Sequence, residues 1–185
     1  NGSESGHVRI YNYNGSSWNQ IGMDIDGEAF DDHSGYTVSL SSDGNLVAIG
    51  ANDNDGNGSK SGHVRVYKWN GSSWNQLGND IDGEAPEDHS GYSVSMSDDG
   101  SRVAIGATTN DGINGNQSGH IRVYEINAPC EVPGCTDPTA SNYDSDATED
   151  DGSCCYSSFG TIWNQLGQDI DGEAANNYSG SSVCL

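Results

Sequence analysis

The sequence predicts an all-β fold of four-stranded antiparallel blades that repeat along the chain with an offset of 56 residues from His7 to His63. The first observation is a near-duplication, because residues 5–29 and 61–85 share almost the same letters. A third copy starts near residue 118 and is completed by residues 163–174. The second observation is that no stretch shows helical periodicity, whereas short apolar or alternating runs lie between turn dipeptides. About four short strands in each repeat are typical of β-propeller blades.

The unit from residue 34 to residue 81 shows the predicted strands in order. Strands A and C alternate apolar and polar residues, and strand B is a short apolar run that suits a buried strand. The dipeptides Asp43-Gly44 and Asn70-Gly71 mark tight turns. A β-sandwich is the competing all-β fold, but it does not explain the near-identical repeats. The predicted strands A to D are residues 34–42, 45–51, 63–69 and 72–81.

Counted in these strands, the chain holds about two and a half blades, carried by residues 1–127 and 163–185. The chain begins with strands C and D of one repeat and ends after strand A of another, so we expect it to be a piece of a longer chain. Propellers typically need four or more blades to close. We expect the others from the same polypeptide or from neighbouring copies in a head-to-tail contact that could extend into a filament. Cys184 is expected to pair with a cysteine outside the chain's other four.

The chain is strongly acidic, with 28 acidic residues against 6 basic ones and a formal net charge of −22. Such a surface opposes binding to nucleic acid and to anionic membranes, and it favours cations such as calcium. No apolar run is long enough to insert into a bilayer. The sequence has no nucleophile elbow, no Ser/His/Asp arrangement outside the repeat and no phosphate-binding loop before a helix. We therefore expect a protein that is not an enzyme.

An insertion at residues 128–162 interrupts the third copy between strands C and D, and it holds four of the five cysteines. Such clustering indicates an oxidising compartment, and hence an extracellular or cell-surface protein. Three disulfide connectivities are open. We favour Cys130–Cys155 with Cys135–Cys154 nested inside, because the first pair faces across the base of the hairpin. Zinc is the alternative, although the spacing suits a tetrahedral site poorly.

Within the insertion, oxygen-bearing side chains recur at alternate positions and lead to Gly152. A loop of this kind can wrap a calcium ion, and the alternative is a solvated acidic loop held by disulfides alone. It departs from an EF-hand because Glu149 stands where that loop needs glycine. The predicted calcium ligands are Asp144, Asp146, Thr148, Asp150 and Asp151.

Smaller candidate sites lie in the repeats. Asp53 and Asp55 could hold a weak calcium ion, but the counterpart loop at 108–112 has lost acidic residues, which favours a plain loop. The Asp-Ile-Asp-Gly-Glu stretch at 24–28 recurs in each copy and is typical of a structural turn between blades. The candidate N-glycosylation sites, for a eukaryotic secreted protein, are Asn1, Asn14, Asn57, Asn70, Asn116 and Asn177.

One histidine and one tryptophan recur in every copy. For the histidines we favour hydrogen bonding within blades over a metal ladder, because one residue per blade lies far from the next. For the tryptophans we favour packing between blades, and the alternative is stacking on sugar rings as in lectin propellers. The recurring residues are His7, His63 and His120, and Trp18, Trp74 and Trp163.

The repeats resemble a known family. SLSSDGNLVAIGA at 39–51 and SMSDDGSRVAIGA at 95–107, each followed by a polar loop and GHVRVY or GHIRVY, resemble FG-GAP repeats, which build integrin-α-like propellers. The Ser-x-Asp-Gly turn is also similar to WD repeats, but the longer period and the absent Trp-Asp ending fit FG-GAP better. Many FG-GAP blades carry a calcium loop between strands A and B. That connection is only 42–44 and 98–100 here, so the family's calcium site is not carried over.

The insertion resembles the acidic, cysteine-closed repeats of secreted proteins, including thrombospondin type 3 repeats. Together these features predict an extracellular, calcium-stabilised β-propeller segment that acts as a structural or adhesive module in protein–protein assembly. Two alternatives remain open. One is a carbohydrate-binding propeller, and the other is the non-catalytic part of a larger secreted enzyme.

Overall fold

The computed structural model describes residues 2–126, 136–138, 143 and 163–185. Within these ranges every regular element is a β-strand, which confirms the all-β prediction. No helix there is long and apolar enough to cross a membrane.

The strands group by repeat, and each copy is counted from here on from its strand A to its strand D. The first copy contains two short antiparallel pairs, β1 with β4 and β2 with β3, from β1 (His7–Val8), β2 (Tyr11–Tyr13), β3 (Trp18–Gln20) and β4 (Ile25–Asp26). The second copy is one antiparallel sheet of β5 (Thr37–Leu40), β6 (Leu46–Ala51), β7 (His63–Trp69), β8 (Trp74–Gln76) and β9 (Ile81–Asp82). The third repeats that sheet with β10 (Ser90–Met96), β11 (Arg102–Ala107), β12 (His120–Ile126), β13 (Trp163–Gln165) and β14 (Ile170–Asp171).

The predicted strand D is divided into two short strands, so the expectation of one continuous strand over 72–81 is wrong. Both β8 and β9 pair with β7, through Tyr67 opposite Gln76 and Val64 opposite Ile81. Between them Gly78 has a φ of 74°, a conformation that glycine adopts without steric cost. This left-handed residue turns the backbone away from a regular ladder. The blade edge is therefore kinked where it meets the next blade.

The sheets stack face to face, and the apolar core lies between them. Strand β7 is buried on both faces. Its Val64 and Val66 pack with Met96 and Ile105 of the third copy, whereas Tyr67 packs towards the first copy. Alternate residues of one strand thus serve two interfaces, which is the arrangement expected of a middle blade.

Glycines mark the closest approach of neighbouring blades. A Cβ on Gly50 of β6 would collide with the backbone carbonyl of Gly91 in β10, and Gly106 has the same relation to Gly180. Because only hydrogen fits at these points, the repeated Ile-Gly-Ala sequence of strand B is a packing requirement.

Candidate functional site

An apolar groove opens beside the first copy. It has a volume of about 460 Å³ and runs between Val8 and Ile10 on one side and Val38 and Leu40 on the other. Leu40 is 47% exposed, whereas Met96, the residue at the same place in the third copy, is 5% exposed. In the described structure the first copy presents strands C and D but no strands A and B. The groove lies beside the first copy in the place that β5 and β6 occupy in the second copy.

The last residues of the chain lie along β10 in the way that β10 lies along β5. The Ser93 hydroxyl donates to the Gly180 carbonyl at 2.7 Å, and the Leu185 amide donates to Ser95 Oγ at 2.9 Å. The second and third copies make the same pair of contacts, from Thr37 to Gly91 and from Met96 to Ser39. Residues 180–185 thus follow the path of strand A of a further blade.

Cys184 lies in this last segment as an exposed free thiol among the described residues. Its counterparts in the earlier copies are Ser39 and Ser95, whose hydroxyls accept a backbone hydrogen bond from the next blade. The thiol is thus at the register where contact with a following blade is made. Its predicted pairing with an outside cysteine stays a prediction.

Two equivalent clusters of one histidine and two carboxylates lie between neighbouring blades. In the first, Glu28 of one blade meets His63 and Asp80 of the next, and the three candidate ligand atoms lie within 4.8 Å of one another. In the second, Glu84 meets His120 and Asp169. Nδ1 of His63 lies 3.5 Å from Asp80 Oδ2. Nδ1 of His120 lies 3.7 Å from Glu84 Oε2 and 3.8 Å from Asp169 Oδ2.

Both histidines are 1% exposed, and neither ring nitrogen of either residue has a hydrogen-bond partner in the described structure. The expectation of hydrogen-bonding blade histidines is therefore wrong for His63 and His120. Burial lowers the pKa of His63 to about 4, although Asp80 opposes the shift, and burial followed by Arg122 lowers the pKa of His120. Both rings are therefore neutral at pH 7 and keep a lone pair on one nitrogen.

Buried arginines hold the carboxylates of these clusters. Arg122 donates from Nη2 to the Asp82 carbonyl at 2.8 Å, and its Nη1 lies 3.8 Å from Glu84 Oε1. Arg65 makes the equivalent contacts in the preceding interface, at 2.9 Å to the Asp26 carbonyl and 3.4 Å to Glu28 Oε1. The side chain of each arginine therefore donates to a backbone carbonyl of the neighbouring blade and attracts one oxygen of that blade's glutamate.

A third polar cluster centres on Asp53. Its two oxygens lie 2.9 Å from Nδ1 of His33 and 2.9 Å from Nδ1 of His89, and Lys60 Nζ lies 3.5 Å away. Burial lowers the pKa of His33, but hydrogen bonds to Asp53 and Glu4 outweigh it, so that the pKa is raised overall. This carboxylate joins the segments that precede two consecutive A strands.

The weak calcium site predicted at Asp53 and Asp55 involves side chains that already have protein partners. The oxygens of Asp53 face the two histidines, and Asp55 Oδ1 accepts the Lys60 amide at 2.8 Å. The two carboxylates are not brought together in any of the acidic or histidine clusters of the described residues. This arrangement favours the plain-loop alternative.

The predicted glycosylation sites differ in what their side chains do. The Asn57 amide donates to the carbonyls of Gly83 and Glu84 at 2.8 and 3.0 Å, so its nitrogen is engaged in the fold. Asn14 and Asn70 instead use their side-chain oxygen to accept amides of the following serines, and both are exposed. Asn116 and Asn177 are also exposed, and Asn1 lies outside the described residues.

Two of the recurring tryptophans contact the preceding blade, and the third is exposed. The Trp74 indole donates to the Ile21 carbonyl at 3.0 Å, and the Trp163 indole donates to the Asn79 carbonyl at 3.1 Å, so both reach the preceding blade. Trp18 is 69% exposed and packs against Tyr13 with 5.1 Å between ring centroids. Packing between blades is therefore confirmed for the second and third copies.

Most of the insertion lies outside the described residues. The disulfides predicted there, Cys130–Cys155 and Cys135–Cys154, and the calcium site predicted there stay predictions. The calcium ligands concerned are Asp144, Asp146, Thr148, Asp150 and Asp151.

Sequence reasoning did not find the partnership of the inter-blade clusters or the role of Asp53. The signals were present, since His, Arg, Asp and Glu recur in each copy, but the glutamate partner belongs to the preceding copy. The repeated Asp-His-Ser at 32–34 and 88–90 is the corresponding signal for the Asp53 cluster. It is absent at 177–179, where the chain reads Asn-Tyr-Ser.

Residues 81–124 match the family model of the FG-GAP repeat, which confirms the resemblance found in the sequence. The match covers the end of the second copy and most of the third. No curated protein matches the chain.

Proposed function

We propose that this FG-GAP propeller segment is a non-catalytic structural and adhesive module that assembles by completing its open blade. The groove between Ile10 and Leu40 supports the proposal best, because it exposes residues whose counterparts form the core elsewhere in the molecule. FG-GAP repeats are associated with integrin-like propellers that take part in protein interactions.

The occupant we propose is a β-hairpin made of strands A and B of another repeat. Such a hairpin supplies an alanine like Ala48, which packs with Val64 and Met96 between the second and third blades. Apolar area buried on binding contributes about 25 cal/mol per Å². The hairpin comes from a further blade of the same polypeptide or from a neighbouring copy, and in the second case the contact is head-to-tail.

A labelled peptide of residues 90–107, which spans β10 and β11, tests this groove. We expect it to bind the chain, and we expect Leu40→Asp to weaken binding at least about tenfold because a carboxylate would be desolvated in the groove. Ile113→Asp is the matched control, since Ile113 is 89% exposed and lies away from the groove. Equal binding by both variants would refute the docking site.

We further propose an extracellular or surface location and calcium stabilisation, with disulfides and glycans on the exposed loops. The repeat type supports the location, since FG-GAP repeats occur in extracellular proteins, and the acidic surface and the loop of the insertion support the calcium. Calcium calorimetry with Asp146→Ala tests the ion, and non-reducing peptide mapping tests the cysteines. Free thiols at all four insertion cysteines, or calcium binding unchanged by the substitution, would contradict these assignments.

A carbohydrate-binding propeller is the second candidate, and the exposed Tyr13–Trp18 pair favours it. Two exposed rings offer apolar faces to a sugar. A glycan array on the chain and on Trp18→Ala distinguishes the two functions. Binding that disappears in the variant would favour the lectin alternative, whereas no glycan binding leaves assembly as the supported function.

A further inference from the structure

We propose that the two inter-blade clusters are binding sites for a divalent transition-metal ion, with zinc as the ion that fits best. The first site consists of Glu28, His63 and Asp80, and the second consists of Glu84, His120 and Asp169. Each site is shared by two blades, so the ion would join them.

The distances within the clusters suit a shared ion better than direct hydrogen bonds. The histidine Nδ1 atoms lie 3.5 to 3.8 Å from the nearest carboxylate oxygens, which is beyond hydrogen-bond range. Two ligands on one tetrahedral zinc ion, each with a bond of about 2.0–2.1 Å, are separated by roughly 3.4 Å. Small movements of two partly exposed carboxylates would bring the ligand atoms to this spacing.

The buried histidines supply independent evidence for a ligand at these clusters. Each imidazole is almost completely buried, yet neither of its nitrogens has a hydrogen-bond partner in the part of the chain that the structure describes, and an unpaired buried polar atom is destabilising. An ion on Nδ1 would satisfy the nitrogen that faces the carboxylates. The neutral state of both rings leaves that nitrogen free to bind metal without first losing a proton.

The arginines act as positioning residues. In the second site Arg122 attracts Oε1 of Glu84, while Oε2 of the same carboxylate faces His120. One oxygen is therefore held by the arginine and the other is presented to the ion. A metal-bound carboxylate held by a second group is a common feature of protein metal sites.

The donor set selects the class of ion. Calcium prefers oxygen ligands only, whereas imidazole together with carboxylate suits zinc and neighbouring divalent metals. Three protein ligands leave one tetrahedral position for water, which enters from the solvent-exposed side of the carboxylates. These sites therefore differ in chemistry from the calcium loop predicted in the insertion.

The first copy supplies an internal comparison. His7 and Asp24 occupy the places of His63 and Asp80, but His7 is exposed and belongs to none of the histidine and carboxylate clusters of the described residues. Each blade interface thus creates one site, and the described chain contains two such sites. A longer array of these repeats would gain one site with each added interface.

The test uses the full chain stripped with chelator and titrated with zinc or cobalt(II) alone. We expect two high-affinity equivalents with nitrogen and oxygen ligands, seen as cobalt d–d bands without the sulfur charge-transfer band that cysteine ligands in the insertion would produce. Saturating zinc should raise the thermal midpoint by about 10–20 °C, as expected for two sites that are each occupied at a hundred times their Kd.

Single-site variants make the assignment specific. Asp80→Asn and Asp169→Asn should each remove one equivalent, and both positions are exposed enough for the variants to fold. Asp24→Asn, at the counterpart of Asp80 in the first copy and in none of the clusters of the described residues, is the matched control and should keep both equivalents. Unchanged binding in the two aspartate variants, or cobalt spectra showing only sulfur ligands, would overturn the proposal.

Discussion

The stacking of blades predicts very different losses of stability when an apolar side chain is truncated to alanine at equivalent places. Met96 in the third copy is 5% exposed and packs in the core between blades, whereas Leu40 in the second copy is 47% exposed at the open groove. We therefore compare Met96→Ala with Leu40→Ala. Both changes shorten an apolar side chain in strand A, so their difference measures the presence of a neighbouring blade.

The magnitudes follow from burial. Truncating a fully buried Met or Leu to Ala costs about 2–5 kcal/mol of unfolding free energy, because the transfer free energy is lost and a cavity remains. At Leu40 about half of the side chain is already in water and the groove leaves no new closed cavity, so we expect about 1 kcal/mol. The two variants should therefore differ by roughly 2 kcal/mol.

Urea unfolding followed by circular dichroism measures this difference. With a slope of about 2 kcal/mol per molar urea, the midpoint of Met96→Ala should lie roughly 1 M below that of Leu40→Ala. Ile113→Ala, at a fully exposed position, should leave the midpoint unchanged. Equal midpoints for the first two variants would refute the inference that the groove is an uncovered blade interface.

Four further predictions concern the pH dependence of two histidines, the packing of glycines and the Asp53 cluster. The folded pKa of His63 lies below its unfolded value, so the unfolded chain binds more protons between pH 6.5 and about 4. The free energy of unfolding should therefore fall as pH falls through this window. In His63→Gln the fall should be less steep. His33 has a raised folded pKa, so its contribution to stability is present below pH 6.5 and is lost as pH rises through the folded value. The difference in denaturant midpoint between the wild type and His33→Gln should therefore shrink as pH rises through that value. Gly50→Ala should destabilise by several kcal/mol because its Cβ meets neighbouring backbone, whereas Gly44→Ala, with open space but a positive φ, should cost about 1 kcal/mol in the same unfolding assay. Asp53→Asn should cost about 1–3 kcal/mol because it weakens contacts to two histidines, and a calorimetric midpoint equal to that of the wild type would contradict the bridging role.

Much of the fold could be predicted because the same local sequence pattern occurs in more than one copy. The run at 45–51 gives β6 (Leu46–Ala51), and the alternation at 63–69 gives β7 (His63–Trp69), as expected. The division of strand D escaped prediction, because a left-handed glycine at Gly78 shows its effect only when β7 is beside it. Periodicity indicates that a strand exists but not where its ladder is interrupted.

The candidate sites were less predictable than the strands. The recurrence of His63 and His120 was visible in the sequence, but one histidine per blade did not indicate a cluster. The structure brings a glutamate from the preceding copy to each, 35 or 36 residues away in the chain, as in Glu28 to His63 and Glu84 to His120. Spacing within one repeat cannot show a contact that forms between two repeats.

By itself the sequence determined the blade as the local unit, since alternation, turn dipeptides and glycine positions act over a few residues. It also determined the acidic surface and the recurrence of the same polar residues in every copy. The tertiary structure decided which residues of those copies are buried. Leu40 and Met96 have nearly the same local sequence, yet one is exposed and the other is core, because burial depends on the neighbouring blade. The same reason makes His63 and His120 buried ligand candidates, while His7 remains at the surface.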